Sequence, residues 1–202
     1  MHFIVIFLSA VASLLWIDLP LTHLFVLLAP LKGLCLSYTW VCLPALHLFF
    51  ATFLFLFCRL LPKFKSYSFF AFQYLLSVGF IMFFCGILKL AVARARPYLL
   101  IENGVSGFFF KDMSNAFRSF PSSHVAIAMA ILVILSTLTK KPSKLYLWGF
   151  VLAIAFSRLI LLRHFTSDIL FGALIGYLTT WSVVSLSQKY KFWIYQLVER
   201  IF

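Results

Sequence analysis

The sequence predicts an all-α integral membrane protein with about six transmembrane helices packed in one bundle. Three observations lead to this fold class. Of the 202 residues, 64% are hydrophobic and 11% are charged, whereas a soluble domain carries about 25% charged residues. The mean hydropathy is +1.06, and apolar runs of about 20 residues, long enough to cross a bilayer core of about 30 Å, recur along the chain. Six spans with short loops use the whole length, so we expect a single domain over residues 1–202.

The predicted spans are bounded by polar residues, prolines and glycines. The first apolar run, 3–17, ends before Asp18 and Pro20. We expect a short first span there and not a signal peptide, because the run lacks a positive leading segment and a small-residue cleavage site. Prolines and a glycine interrupt residues 19–37, which we interpret as an interfacial or re-entrant stretch. The remaining spans are predicted at 38–60, 67–92, 122–139, 145–162 and 167–186.

The basic residues predict the orientation of these spans. The net charge is +12, but the basic residues form no patch interleaved with aromatic residues on a soluble face, so we do not expect nucleic acid as a partner. Lysines and arginines follow the spans that end near residues 60, 139 and 186. If the spans alternate, these loops lie on one side, which the positive-inside rule makes cytoplasmic. The segment 93–120 and the turn near 163–168 would then face outward.

Cysteine usage indicates neither a metal site nor a disulfide framework. All four cysteines lie in apolar surroundings and lack the spacing of metal ligands. We expect them to be small residues that face the protein core or the lipid. They are Cys35, Cys42, Cys58 and Cys85.

The first of three polar blocks ends the predicted third span with Lys89, Arg96 and Pro97. Lys89 and Arg96 are seven residues apart, which is two helical turns and about 10 Å along the axis. Because Pro97 disfavours helix at Arg96, we expect the chain to turn there. A guanidinium and an ammonium group can together hold the oxygens of a phosphate. The alternative is that both residues are ordinary cations that extend to the membrane surface.

The second block is Pro121-Ser122-Ser123-His124, directly before the predicted fourth span. A turn at the start of a helix exposes backbone N–H groups, and the helix dipole there favours an anion. Ser122 adds a hydroxyl donor, and His124 is able to protonate a leaving oxygen. The alternative is a serine that caps the helix beside an incidental interfacial histidine.

The third block consists of Ser157 and Arg158, followed by His164 and Asp168. Arg158 lies inside an apolar run, where an uncompensated charge costs about 2.5–3.5 kcal/mol on insertion scales, so it needs an anionic partner. His164 and Asp168 share a face if the last span starts near residue 164. The carboxylate then accepts a hydrogen bond from one ring nitrogen and leaves the other as a nucleophile. The alternative is a structural ion pair between Arg158 and Asp168.

Taken together, the three blocks resemble the type 2 phosphatidic acid phosphatase family, which shares a superfamily with vanadium-dependent haloperoxidases. The motifs are Lys-x6-Arg-Pro, Pro-Ser-x-His and Ser-Arg-x5-His-x3-Asp, and the resemblance covers about residues 67–186. It implies that His164 attacks phosphorus to form a phosphohistidine, that Asp168 orients it, and that His124 protonates the leaving group. It also implies hydrolysis without a metal or other cofactor. The implied phosphate-binding residues are Lys89, Arg96, Arg158, Ser122 and the backbone of Ser123.

One residue departs from the family pattern, whose second motif usually reads Pro-Ser-Gly-His. Ser123 occupies the glycine position in this chain. If the position requires a positive φ angle, a serine there costs about 1 kcal/mol or more. If the position only directs an N–H group at phosphate, a serine serves as well. We expect an active enzyme.

These features predict a membrane lipid phosphatase that hydrolyses the terminal phosphate of a lipid phosphate or diphosphate. The candidate substrates are undecaprenyl diphosphate, phosphatidic acid, phosphatidylglycerol phosphate and lipid A. We expect a bacterial inner-membrane protein whose site opens on the periplasmic face, with residues 93–120 selecting the headgroup and Phe108–Phe110 forming a lid that dips into the membrane. The alternatives are a phosphotransferase that uses the same histidine and a non-catalytic headgroup binder or transporter. No sequence pattern indicates an oligomeric state.

Overall fold

The computed structural model describes residues 2–110, 114–139 and 141–190. Within these ranges the chain is helical, apart from turns, loops and one isolated β-bridge between Arg94 and Phe108. The predicted all-α fold class is confirmed. The α-helices are α1 (His2–Ala12), α2 (Asp18–Val26), α3 (Lys32–Val41), α4 (Pro44–Leu60), α5 (Ser68–Val92), α6 (Pro97–Asn103), α7 (Ser123–Ser136), α8 (Lys141–Ile160) and α9 (Thr166–Lys189).

Long apolar helices make the chain an integral membrane protein. Large apolar side chains such as Phe49, Phe53 and Leu60 are more than half exposed, as expected for helices that face lipid. The apolar helix α7 is shorter, with 14 residues. Among the described residues, four helical stretches are long and apolar enough to cross a membrane, namely Ile4–Val26, Ala29–Leu60, Pro62–Val92 and Thr166–Lys189.

The first helical stretch is longer than the sequence predicted. A π-helical turn, Ser13–Ile17, joins α1 to α2, and the helix continues to Val26. The prediction that the first span ends before Asp18 and Pro20 was wrong. A π-turn widens the helix, and distortions of this kind accommodate a proline without ending the helix. Asp18 is nearly fully buried, so it does not mark the end of the apolar segment.

Helices α2 and α3 form a hairpin around the 3₁₀ turn Ala29–Leu31. Asp18, at the start of the hairpin, and Thr39, near its end, both bond to residues of the polar site. The hairpin therefore leaves the site and returns to it. This path fits the interpretation of residues 19–37 as re-entrant, and their depth in the bilayer stays a prediction.

Helices α7 and α9 approach each other closely at two glycines of α9. A Cβ atom on Gly172 would lie 2.4 Å from the carbonyl oxygen of Ser122, and one on Gly176 would lie 2.2 Å from that of Ala126. Two glycines four residues apart form a small-residue face that lets helix backbones approach closely in membranes. This contact holds the start of α7 against the first turns of α9.

The cysteines lie in the core. All four are free thiols and all are buried. The prediction that they are small residues in apolar surroundings is confirmed, and two of them, Cys35 and Cys42, belong to the largest buried apolar cluster.

The helix directions place the three polar blocks at one end of the bundle. The first and third blocks lie at the carboxyl ends of α5 and α8, and the second lies at the amino end of α7, with Asp168 at the amino end of α9. Lys63, Lys65 and Lys189 lie near the opposite ends of these helices. Lys140, Lys191 and Arg200, which contributed to the predicted orientation, lie outside the described residues.

Candidate active site

The chain turns sharply where the first block follows α5. Ala93 adopts a left-handed conformation with φ 43° and ψ 57°, and Arg96 precedes α6, with Pro97 as the first helical residue. Proline favours this position because its missing N–H has no partner there in any case. The predicted turn at Arg96 is therefore present.

Lys89 joins the end of α5 to the segment before α7. Its Nζ atom donates to the carbonyl oxygens of Arg118 at 2.9 Å and Pro121 at 2.7 Å. An ammonium group has three N–H bonds, so one remains available for an anion. Lys89 thus fixes the loop that carries the second block and still presents a positive charge.

The second block begins α7 as the sequence predicted. Ser122 precedes the helix, and its backbone N–H donates to the carbonyl oxygen of Asp168 at 3.0 Å. Ser122 Oγ and His124 Nε2 are buried and have no hydrogen-bond partner among the described residues. A buried polar atom without a partner costs about 1–3 kcal/mol, which a bound phosphate would offset.

Ser123 is not strained at the position where the family usually has glycine. It is the first residue of α7. Among the described non-glycine residues, only Ala93, Phe110 and Leu162 have positive φ angles. Because Ser123 has an ordinary helical conformation, the possible strain raised by its sequence position does not arise.

Arg158 lies in the last turn of α8 and is 5% exposed. It donates to Thr39 Oγ1 at 3.1 Å, and its Nε atom is buried without a partner among the described residues. The structural ion pair with Asp168, considered as an alternative, is not formed, because Asp168 pairs with Arg94. Arg158 therefore retains donors for an anion.

His164 lies in the short loop between α8 and α9, and its ring is hydrogen-bonded to the backbone. Nδ1 is 2.6 Å from the carbonyl oxygen of Ser119. A carbonyl oxygen only accepts, so Nδ1 carries the proton and donates it. Nε2 consequently holds the lone pair of the neutral ring, which is the arrangement that a nucleophilic imidazole needs.

The direct hydrogen bond predicted between His164 and Asp168 is absent. His164 Nδ1 and Asp168 Oδ2 are 3.9 Å apart, too far for a hydrogen bond. The reason is local, since α9 begins at Thr166 and leaves His164 before the helix. Asp168 instead accepts from the backbone N–H of Phe165 at 2.8 Å and stabilises the helix start.

The environment of His164 keeps its ring neutral. Burial lowers the pKa of His164 well below its usual value, and the charges of Lys89, Arg158 and Arg96 lower it further. Burial also lowers the pKa of Arg96, and Arg163 adds to this effect. The predicted phosphate-binding cations therefore lie close enough to His164 to act on it electrostatically, although they belong to three separate blocks.

Three residues of the site, Arg94, Asp18 and Ser119, were not predicted from the sequence. Arg94 donates to Asp168 Oδ1 at 2.6 Å and to Asp18 Oδ2 at 2.7 Å. The side chains of Arg94, Asp168 and Asp18 are all buried. Ionisable residues within apolar segments are functional candidates, and Asp18 is the one acidic residue before Glu102. The position of Asp18 within an apolar segment was therefore a signal that could have identified it from the sequence.

Ser119 connects Asp168 to His164. Its hydroxyl donates to Asp168 Oδ2 at 2.6 Å, and its carbonyl oxygen accepts from the His164 ring. Its backbone N–H donates to the carbonyl oxygen of Arg94 at 3.1 Å. Asp168 therefore acts on His164 through Ser119 and not by direct contact.

The sequence model of the PAP2 superfamily matches residues 70–192, more than half of the chain. The chain belongs to the PAP2 superfamily. The matched segment contains all three polar blocks, so the resemblance inferred from their spacing is confirmed. Helices α1–α4, including Asp18, lie before the matched segment.

A solved structure with a similar fold is that of Aquifex aeolicus LpxE. It is 22% identical to this chain, with a TM-score of 0.55. The alignment covers 81% of this chain and 93% of the LpxE chain. The likeness shows a shared fold that extends to both the matched segment and part of the helices before it. No curated protein matches the chain.

Proposed function

We propose that the protein is a membrane lipid phosphatase that removes the terminal phosphate from a lipid phosphate or diphosphate. One observation carries the proposal: His164 is buried and neutral, and Nε2 is left as the nucleophilic atom because Nδ1 donates to the Ser119 carbonyl. The nearby charges of Lys89, Arg96 and Arg158 suit a phosphate at that atom.

The first step forms a bond from His164 Nε2 to phosphorus and breaks the bond from phosphorus to the leaving oxygen. His124 donates a proton to that oxygen, since the negative charge of the bound phosphate favours its imidazolium form. The product is a phosphohistidine. In the second step a water molecule gives a proton to His124 and its oxygen attacks phosphorus, which releases inorganic phosphate and restores His164.

The phosphate oxygens are proposed to bind donors from all three polar blocks. Donors of this kind develop their strongest interactions as negative charge accumulates in the transition state. They also explain why the site tolerates buried polar atoms without partners. The donors are the third N–H of Lys89, the guanidinium groups of Arg96 and Arg158, the hydroxyl of Ser122 and the backbone N–H of Ser123.

A lipid substrate is supported by the position of the site at the end of apolar helices. Phe108, Phe109 and Phe110 are each at least 40% exposed near the site, and Phe108 lies against the Arg94 guanidinium. An exposed aromatic run suits the interface between headgroups and hydrocarbon. The lid function of this run stays a prediction, as do the headgroup and the tail of the substrate.

We place the site on the periplasmic face of a bacterial inner membrane. The lysines at the opposite ends of the helices support this orientation through the positive-inside rule. The fold shared with a protein of the bacterium Aquifex aeolicus supports the bacterial setting.

The test is inorganic phosphate release by the detergent-solubilised protein in EDTA. The substrates are undecaprenyl diphosphate, phosphatidic acid, phosphatidylglycerol phosphate and lipid A, with His164→Ala as the control. We expect release that survives EDTA and is lost in the variant, because the nucleophile is removed. Release that occurs only with a second lipid acceptor would indicate phosphate transfer. Equal release by the variant would contradict the proposal.

A further inference from the structure

A buried carboxylate outside the three polar blocks is bonded directly to the site. Asp18 is the first residue of α2, directly after the π-turn, and is 2% exposed. Its Oδ2 atom accepts from Arg94 at 2.7 Å and also from the hydroxyl of Ser167, and its Oδ1 atom accepts from Ser13 Oγ at 2.9 Å and from the backbone N–H of Ser167 at 2.9 Å. The carboxylate is thus fully hydrogen-bonded, which is what a buried charge requires.

Arg94 is held between two carboxylates that come from different parts of the chain. Nη1 of Arg94 donates to Asp168 at 2.6 Å and to Ser167 Oγ at 2.7 Å, and Nη2 donates to Asp18. The guanidinium also lies 4.2 Å from the ring centre of Phe165. A planar guanidinium with two charged acceptors has a fixed orientation, so the Asp168 carboxylate that it binds is fixed as well.

We propose that Asp18 is a positioning residue for the His164 nucleophile. Asp18 orients Arg94, Arg94 orients the Asp168 carboxylate, and Asp168 holds the Ser119 hydroxyl. The carbonyl oxygen of Ser119 in turn accepts the hydrogen bond that His164 Nδ1 donates. The inference rests on the proposed role of His164, and it assigns a part in that role to a helix that precedes the segment matched by the family model.

The charge balance gives the carboxylate on α2 a role beside Asp168. Arg94 carries one positive charge and lies at the same end of the bundle as Lys89, Arg96 and Arg158. Asp168 alone would have to offset Arg94 and also hold Ser119. With Asp18 present, each carboxylate oxygen of Asp168 has its own donors, Arg94 on Oδ1 and Ser119 with the Phe165 N–H on Oδ2.

The proposal predicts a separation of kinetic constants. Asp18 touches none of the proposed phosphate donors, so Asp18→Asn should leave KM nearly unchanged. The nucleophile is less well oriented in the variant, so kcat should fall by about 10- to 100-fold, the size of effect produced by small misplacements of reacting groups. A merely structural role would lower the amount of folded protein without this fall in kcat per folded molecule.

The experiment compares kcat and KM for wild type, Asp18→Asn, Ser119→Ala and the double variant, each normalised to folded protein. Because both changes break the same chain of hydrogen bonds, the double variant should be little worse than Ser119→Ala alone. Ser187→Ala is the matched control, since it removes a buried hydrogen bond from Gln73 at 2.7 Å at the far end of the bundle. It should leave kcat unchanged. If Asp18→Asn does not fold, Ser13→Ala, which removes one bond to Asp18, should lower kcat in the same direction by a smaller factor.

A second readout is independent of turnover. In ¹⁵N-histidine spectra, the ring signal that disappears in His164→Asn should show the tautomer protonated at Nδ1 in the wild type and in Ser187→Ala. Asp18→Asn should shift it toward a mixture of tautomers. Unchanged kcat with an unchanged tautomer in Asp18→Asn would overturn the inference. If the wild type releases no phosphate from any lipid, the proposed function fails, and the tautomer alone decides whether Asp18 positions His164.

Discussion

Ser123 is the residue at which the chain departs from the usual motif. The structure gives it an ordinary helical conformation at the start of α7, so the backbone does not require glycine there. The group proposed to interact with phosphate at this position is the N–H group, which both residues provide.

We expect Ser123→Gly to retain wild-type turnover within a small factor, because it keeps the N–H group and changes only the side chain. Phosphate release at saturating substrate is the measurement. A loss of more than about tenfold, equivalent to about 1.4 kcal/mol in the barrier, would show that the hydroxyl itself contacts the substrate.

The protonation of His164 links the site to stability. Burial and the neighbouring cations lower the pKa of His164 in the folded protein well below its usual value. In the unfolded chain a histidine has a pKa of about 6.5. As the pH falls below that value, the unfolded state binds a proton that the folded state does not, so stability decreases.

We therefore expect the midpoint of thermal unfolding to fall between pH 7.5 and 5.5, about one unit on either side of the unfolded pKa. In His164→Asn, which has no imidazole at this position, the fall should be smaller. Ser187→Ala, a change to a residue without a titratable group at the far end of the bundle, should keep the wild-type dependence. An identical dependence in His164→Asn and the wild type would contradict the assignment.

At the residue scale, the sequence predicted the groups that local spacing brings together and missed those that join distant segments. The three motifs identified the histidines and three cations because their chemistry is visible within a few residues. Arg94 and Asp18 are 76 residues apart, and Ser119 and Asp168 are 49 apart. Such pairs are fixed only by tertiary packing, which spacing along one segment does not reveal.

At the scale of the helices, most apolar segments were placed correctly and the errors occur where a residue was expected to end a helix. Asp18 and Pro20 have poor helix propensity in general, but the π-turn before Pro20 and the buried partners of Asp18 outweigh that preference. The expectation that His164 and Asp168 share a helical face also failed. Because α9 begins at Thr166, His164 lies before the helix, and Asp168 accepts a hydrogen bond at the helix terminus.

The contact between α7 and α9 is the element on which the site depends most. We expect Gly176→Ala to destabilise the protein by about 1–3 kcal/mol, as overpacking does, because the added Cβ would meet the Ala126 carbonyl oxygen at 2.2 Å. Separation of the helices should also weaken the bond from Ser122 to Asp168 and lower phosphate release. Thermal unfolding and activity are the measurements.

Gly149→Ala is the matched control, because nothing lies within 4 Å of the Cβ that it would add on α8. Alanine is favoured over glycine in a helix by about 1 kcal/mol, so this variant should be at least as stable as the wild type. Equal effects of the two substitutions would show that α7 and α9 do not depend on their close approach.

For the whole molecule, the structure joins a segment that defines the family with helices that precede it. The bundle formed by α5, α7, α8 and α9 presents the motif residues at one end. The hairpin of α2 and α3 contacts that end at two points, through the bond of Asp18 to Arg94 and the bond of Thr39 to Arg158. A fragment limited to residues 70–192 would therefore contain every motif and still lack two partners of its buried arginines.

The partner of the His164 ring is a main-chain oxygen, and this has a consequence for how the site responds to genetic change. Every amino acid at position 119 supplies the same carbonyl group, so no codon change deletes the acceptor. A mutational scan would therefore assign importance to Asp168, Arg94 and the Ser119 hydroxyl, while the carbonyl contact of the nucleophile would stay undetected. Replacing the 119–120 peptide bond by an ester, which weakens that carbonyl as an acceptor, is the chemical change that would expose it.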